Sequence, residues 1–361
     1  VVTDAELMRR ALFHAARAAG ATTPNPMVGA VVVSRTGIIV GQGHHPRAGE
    51  PHAEIFALDE AGERARGGTL FVTLEPCCHH GRTAPCTERV IASGVARVVV
   101  AMTDPNPLVN GQGIADLRAA GICVEVGLLE EDARRLNRAF VTVQTRGRPE
   151  VIVKAASSAD GFIAARPGDR TPITARAANR RAQRLRAVVD AVAVGSGTLL
   201  VDDPILTVRE SARVRPLVRV VFDRRLRTPP TARLFSTLAQ GPVIILSSTR
   251  TMEAAPTRVR RLRERGATVV PGGDDLAGAL GALLAFDVSA VLVEGGAVLH
   301  RALFDAGLVD TVHLIVSSAA LGPAGVPVFG TGLGAGPDMT PYAVTELGPD
   351  RWLEFDVHGN H

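Results

Sequence analysis

Two consecutive α/β domains, meeting between residues 148 and 149, are what this 361-residue sequence predicts. Short β-branched runs alternate with helix-periodic runs along the whole chain, the signature of strands layered with helices. That periodicity lapses over AFVTVQTRGRP (139–149) and restarts with the strand EVIVKAAS (150–157). The length suffices for two cores of ordinary domain size. The predicted domains are therefore 1–148 and 149–361.

Thr3 and Glu6 form a capping-box pair ahead of the stripe Leu7, Ala11, Leu12 and Ala15, a helix closed by Gly20. The loop TTPNPMVG leads to two β-rich runs, AVVVS and GIIVGQG, around a turn. HAEIFALDEAGERARGG is helix-periodic and feeds the strand TLFVTLE. Beyond a Cys-rich loop, TERVIASGV reads as helix, ARVVVAM as strand, DPNPLVNGQG as loop, IADLRAAGI as helix and CVEVGLL as strand. Cys123, in that apolar strand, reads as a core residue. In the second half a basic helix, TARAANRRAQRLRAVV, precedes the strand DAVAVGS. PLVRVVF, PVIILSS, ATVV and AVLVEGG follow as strands, then the helix LHRALFDAGL and the strand TVHLIVSS.

No apolar run reaches the ~18 residues needed to cross a bilayer, and VVTDAELMRR has no signal-peptide core. Four cysteines, two of them adjacent, make a poor disulfide framework. A cytoplasmic setting and no membrane partner are expected. The formal net charge is +4. Residues 1–150 carry 16 basic and 16 acidic side chains and the remainder 24 and 20, so neither half builds a groove for polyanions. One Trp and one Tyr leave little for stacking bases. No nucleic-acid partner is expected; a small phosphate-bearing substrate suits this balance, in a homo-oligomer, dimer or tetramer.

TLEPCCHHGRTAPC (73–86) holds three of the four cysteines, and Pro51-His52-Ala53-Glu54 precedes it at a helix start. Zinc-dependent base deaminases pair H-x-E with P-C-x-x-C. Here the second element is stretched, with Pro76-Cys77 and Pro85-Cys86 separated by an inserted loop. A catalytic zinc needs three protein ligands and an open position for water, which His52, Cys77 and Cys86 supply. Glu54 is then placed to take a proton from that water and pass it to a leaving amine. The competing reading is a closed structural site, with Cys78, His79 or His80 as fourth ligand.

With these motifs, TPNPMVGAVVV (23–33), GQGHHPRAGEPHAE (41–54) and AMTDPNPLVNGQG (101–113), the first half resembles the deaminase half of the bifunctional riboflavin-biosynthesis deaminase/reductase family. The resemblance implies a cytidine-deaminase-like α/β/α sandwich. It implies hydrolytic removal of the 2-amino group from a diaminopyrimidinone bearing a ribosylamino 5′-phosphate, with Asn25, His45 and Arg82 contacting that substrate. The segments KAASSADG (154–161), GSGTLLVDDPILTVR (195–209) and VEGGAVLHRALF (293–304) resemble the reductase half, a dihydrofolate-reductase-like α/β domain that uses NADPH to open the ribosyl group to ribityl. Implied cofactor contacts are Ser157, Thr198, Asp202 and the turn Gly295-Gly296, with Pro172 where the family commonly has an aromatic residue. Implied substrate contacts are Arg186, Leu206, Arg209 and Glu294. Lys154, the one lysine among 40 basic residues, joins them as a cation beside the ribose or its phosphate. A nucleoside or nucleic-acid deaminase with a C-terminal binding module is the alternative that the charge and aromatic content disfavour.

Overall fold

In the computed structural model, which describes residues 2–79, 85–166, 171–272, 275–329 and 340–358, the chain divides into two units, Val1–Gly147 and Arg148–His361. The N-terminal unit begins with α1 (Asp4–Ala16). Its capping box is complete: Glu6 N–H donates to Thr3 Oγ1 and Thr3 N–H to Glu6 Oε2. There follow β1 (Gly29–Val33), β2 (Ile39–His44), α2 (Ala53–Ala61), β3 (Thr69–Val72), α3 (Cys86–Ser93), β4 (Arg97–Val100), α4 (Gln112–Ala119), β5 (Cys123–Val126), α5 (Glu130–Leu136) and α6 (Arg138–Arg146).

The sheet order is β2-β1-β3-β4-β5. β1 runs antiparallel to β2 and β3, while β3, β4 and β5 are parallel. Gly29 faces α1, where a Cβ would fall 2.0 Å from Ala11 O; Gly43, paired with the next residue Ala30, faces α2, 2.5 Å from Ala53 O. Adjacent strand residues point to opposite faces, so α1 and α2 cover the two sides of one sheet. This is the expected α/β/α sandwich. The close approach at Gly43 also seats the first turn of α2, with Glu54, directly on β2.

Two sequence expectations fail here. The stretch 139–149 is mostly helix α6, because Phe140 and Val141 pack on the core without a longer apolar repeat to announce them. Cys123 is exposed: β5 is an edge strand whose Val124 alone faces inward.

The second unit contains β6 (Glu150–Ser157), β7 (Phe162–Ala164), α7 (Arg176–Val188), β8 (Ala191–Gly195), α8 (Ser196–Asp202), β9 (Val218–Phe222) and β10 (Val243–Ser247). Then come α9 (Thr249–Ala254), α10 (Pro256–Glu264), β11 (Ala267–Pro271), α11 (Leu276–Gly281), β12 (Ala290–Val293), α12 (Ala297–Asp305) and β13 (Thr311–Val316). β14 (Val326–Pro327), β15 (Ala343–Leu347) and β16 (Asp350–Asp356) close the chain. Nine strands order as β11-β10-β9-β8-β12-β6-β13-β16-β15. The seven from β11 to β13 are parallel, and β16 and β15 extend the edge in antiparallel fashion. Ile244 and Leu246 of β10 join one apolar cluster, Val243 and Ile245 another. A sheet buried on both faces explains why these strands read as unbroken apolar runs. Arg148 and the buried Asp310 form a bidentate pair at the entrance to the unit, at 2.6 and 2.9 Å.

Candidate active sites

In the N-terminal unit, His52 is the N-cap of α2 and Cys86 the first residue of α3, while Cys77 lies in the loop leaving β3. Thr73 anchors that loop, accepting the Gly29 N–H at 3.1 Å. The metal-competent atoms converge: His52 Nδ1 is 3.1 Å from Cys86 Sγ and 3.5 Å from Cys77 Sγ, and Cys86 N–H donates to Cys77 Sγ at 3.3 Å. Among the described residues this is the one His/Cys/Asp/Glu group arranged to hold a metal, its ligand atoms all within 4.8 Å of one another. The Cys86 thiol and backbone N–H, with His52, bring the Cys77 thiol down to about 4, while the same contact pushes Cys86 up. Cys78 Sγ turns to Leu108 O at 4.0 Å and His79 is exposed. His80 and Arg82 lie outside the described residues.

Glu54 sits buried in the first turn of α2, and burial pushes its carboxyl up to about 7, with His52 pulling down and Cys77 pushing up. Its Oε2 is enclosed, with no hydrogen-bond partner among the described residues. An orphaned carboxylate oxygen beside three soft ligands fits a zinc ion carrying a water. Around them, Asn25 Nδ2 donates to His45 Nε2 at 3.0 Å, and His45 Nδ1 donates to Pro51 O at 3.1 Å. The His45 ring meets the His52 ring edge to face at 5.2 Å.

The second site lies at the carboxyl edge of the parallel strands. There β12 inserts between β8 and β6, so the strand order changes direction, and open α/β sheets bind ligands at such points. Glu294 follows β12 and receives Arg186 of α7 at two atoms, 2.5 Å each; Arg186 Nη1 also reaches Thr207 O at 2.8 Å. Burial raises the Glu294 carboxyl, but Arg186, Lys154 and Arg209 together hold it below its ordinary range. Lys154 is half-buried within β6. Burial lowers its ammonium, with Glu294 opposing and Arg186 reinforcing. Leu206 is buried in a left-handed conformation, and Arg209 is exposed, its N–H held by Gln183 Oε1 at 2.8 Å.

Beside this cluster, Gly195 N–H donates to Gly295 O at 2.9 Å. A Cβ on Gly296 would stand 2.9 Å from Thr198 Oγ1. A side chain there would press on Thr198, and Gly296 is the N-cap of α12, so the backbone of this turn is open to a ligand at a helix N-terminus, where phosphates bind. These residues fit a dinucleotide. Ser157 ends β6, and its carbonyl accepts the Ser317 N–H at 2.8 Å. Asp202 ends α8 four residues beyond Thr198, roughly 6 Å along the helix and on the same face. Pro172 is exposed ahead of α7.

Residues 149–353 match the family described as the RibD C-terminal domain, and residues 2–102 the cytidine and deoxycytidylate deaminase zinc-binding region. Riboflavin biosynthesis protein RibD of Aquifex aeolicus is 41% identical over 320 residues, 88% of each chain. That of Escherichia coli is 40% identical over 334, covering 88% of this chain and 89% of its own. The chain belongs to the RibD family. Acinetobacter baumannii RibD superposes with a TM-score of 0.86 at 36% identity, covering 98% of both chains. A Thermotoga maritima structure titled as a diaminohydroxyphosphoribosylaminopyrimidine deaminase and 5-amino-6-(5-phosphoribosylamino)uracil reductase scores 0.84 at 35% identity. As a RibD protein the chain is a bifunctional enzyme of riboflavin biosynthesis: a zinc-dependent deaminase joined to an NADPH-dependent reductase.

Sequence reading of this RibD chain passed over two acids in the deaminase unit. Glu75, buried, accepts the N–H groups of Asp104, Gly111 and Ile114 at 3.1, 2.9 and 3.1 Å, lashing the DPNPLVNGQG loop to the stretch before Cys77. Asp104 is buried as well; its carboxyl is pushed up to about 6 by burial, against the Asn106 N–H, with Glu75 and Cys77 adding to the push. The motif around them was visible in the sequence, but nothing in its spacing said that these carboxylates turn inward.

Proposed function

We propose that His52, Cys77 and Cys86 hold the zinc and that Glu54 is the proton carrier in hydrolytic deamination of the diaminopyrimidinone ribosylamino 5′-phosphate. Zinc supplies the acidity that makes a bound water nucleophilic near neutral pH. Glu54 accepts the proton that the water loses and returns one to the 2-amino group, so that a C–N bond is exchanged for C=O and ammonia leaves. A carboxyl held near 7 can both take and give that proton. Asn25 and His45, paired against His52, orient the pyrimidine, and Arg82 takes the 5′-phosphate.

In the second unit, NADPH supplies the hydride. Ser157, Thr198 and Gly295-Gly296 seat the cofactor, while Arg186, Leu206, Arg209 and Glu294 seat the deaminated substrate. Lys154 polarises the ribose oxygen as the ring opens to ribityl. Asp202, one turn from Thr198 on the same face of α8, and Pro172, ahead of α7, complete the cofactor contacts. Four unpaired cysteines, three of them at or beside the metal site, support a reducing, cytoplasmic setting; among the described residues no helix is long and apolar enough to cross a membrane. Exposed Leu200, Val201 and Val298 support burial against a second copy, in a dimer or tetramer, which light scattering tests.

The observation that carries the reading is the orphaned Oε2 of buried Glu54 beside three metal-competent atoms. Its test is Glu54→Gln, which keeps the shape and loses the basicity. Ammonia release should fall by ~10²–10⁴ with one zinc per chain retained. A normal rate in a zinc-loaded variant rejects the mechanism.

A further inference from the structure

We infer that Asn137 is a positioning residue of the deaminase: it clamps the loop that carries Asn25 and so sets where the Asn25–His45 pair meets the pyrimidine. The inference rests on the reading that this pair orients the ring. Asn137 stands between α5 and α6, outside both helices, at φ −103° and ψ 23°. Asparagine at the start of a helix ordinarily turns its side chain back onto the first free N–H groups. Here it makes no such bond. Asn137 is buried, and its amide faces Met27, 110 residues away in the chain. Oδ1 accepts Met27 N–H at 2.7 Å and Nδ2 donates to Met27 O at 2.9 Å. Both backbone polar groups of one residue are thus taken by one side chain. An amide places a donor and an acceptor side by side, whereas a carboxylate of the same shape has acceptors alone.

The clamp has a rigid back. Ala133 is fully buried, and Phe140 and Val141 pack on the same apolar core, so the α5–α6 junction is fixed from both sides. Asn137 N–H donates to Ala133 O at 3.1 Å and its carbonyl accepts Val141 N–H at 2.9 Å. The backbone is committed to the two helices, and the side chain is left to reach the loop. That loop is held at its ends: Asn25 N–H donates to Thr22 O at 2.9 Å, His45 N–H to Val28 O at 2.9 Å, and Gly29 N–H to Thr73 Oγ1 at 3.1 Å. Among the described residues, Asn137 is the one side chain that bonds to the backbone between Thr23 and Met27.

Met27 is two residues from Asn25, whose Nδ2 meets His45 Nε2 at 3.0 Å. His45 in turn stands edge to face with His52, so the placing of Met27 is passed to the substrate side of the metal site. His52, Glu54, Cys77 and Cys86 are carried by α2, α3 and the loop after β3, and Asn137 bonds to none of them.

The test uses the full-length, zinc-loaded chain and the kinetics of ammonia release, in a double-mutant cycle of Asn137→Ala with Asn25→Ala. Asn137→Ala should lower kcat/KM about 10- to 100-fold, mostly through KM, with one zinc per chain retained. Asn25→Ala should lower it at least as far. The double variant should be no slower than Asn25→Ala alone, because the clamp acts through that residue. A parental kcat/KM in Asn137→Ala overturns the assignment, as do losses that multiply in the double variant or a loss of zinc. Asn137→Asp has the same shape, keeps the acceptor for Met27 N–H and sets an oxygen against Met27 O. It should carry the same cycle at about 10-fold, and it decides the matter if the alanine variant does not fold. NADPH oxidation on supplied deaminated intermediate should stay parental in every variant, and its loss would mark Asn137 as a general structural residue. If Asn25→Ala keeps the parental kcat/KM, the reading of the substrate pair fails and takes the clamp with it. If Asn25→Ala is impaired and the Asn137 variants are not, Asn137 alone is rejected.

Discussion

Cys77 Sγ lies 3.5 Å from His52 Nδ1, whereas its neighbour Cys78 turns its sulfur to Leu108 O. Metal retention should follow that difference. Cys78→Ser should keep one zinc per chain and near-parental ammonia release, while Cys86→Ser should lose the metal, as atomic absorption on both variants will show. A second prediction at this scale concerns His300. It is 3% exposed, its Nε2 donates to Val293 O at 3.2 Å, and burial, with Lys154 nearby, lowers its imidazole to about 4. Unfolded, the same group titrates near 6.5. Below that pH the unfolded chain takes a proton that the folded chain refuses. The stability is thus complete above 6.5, declines as pH falls, and levels off below about 4. Its share of the loss should reach about 2 kcal/mol by pH 5. His300→Gln keeps a donor without the titration and should flatten that part of the slope. Trp352, the chain's one tryptophan and 1% exposed, lets denaturant unfolding of the second unit be followed by its fluorescence. Equal slopes for the two proteins would reject the assignment.

Among elements, the loop between β4 and α4 depends on one side chain. Glu75 Oε2 accepts two backbone N–H groups and Oε1 a third. Three backbone donors on one buried side chain pin the loop that carries Asp104. Glu75→Gln replaces one acceptor oxygen with an NH2 that faces donors, and should cost about 2–4 kcal/mol. Because Glu75 stands two residues before Cys77, the variant should also release zinc faster to a chelator than the parent does. Parental stability with parental zinc release would show that the loop is held by other means.

For the whole molecule, the division into two units places Glu54 in one and Lys154, Arg186 and Glu294 in the other. Each has its own apolar clusters, so a change at one site should leave the other folded. Glu54→Gln should stop ammonia release yet oxidise NADPH at the parental rate when supplied with the deaminated intermediate. Lys154→Ala should do the reverse. A folded, zinc-loaded Glu54→Gln chain unable to reduce supplied intermediate would point to one shared site.

The sequence alone determined the features written at short range. His52 and Glu54 are two residues apart, Cys77 and Cys86 share one loop-to-helix segment, and the parallel strands announce themselves as apolar runs because both faces are buried. The capping box at Thr3 is likewise complete within four residues. Helix and strand periods encode such local relations directly. What the sequence left open depended on encounters between distant segments. Arg186 meets Glu294 across 108 residues, and Asn25 meets His45 across 20. Glu75 reaches a loop about thirty residues on. Cys123 faces solvent because β5 ends its sheet. Strand order and edge position come from packing the whole sheet, and no local spacing carries them; that is why the tertiary structure had to decide which carboxylates turn inward and which cysteine faces solvent.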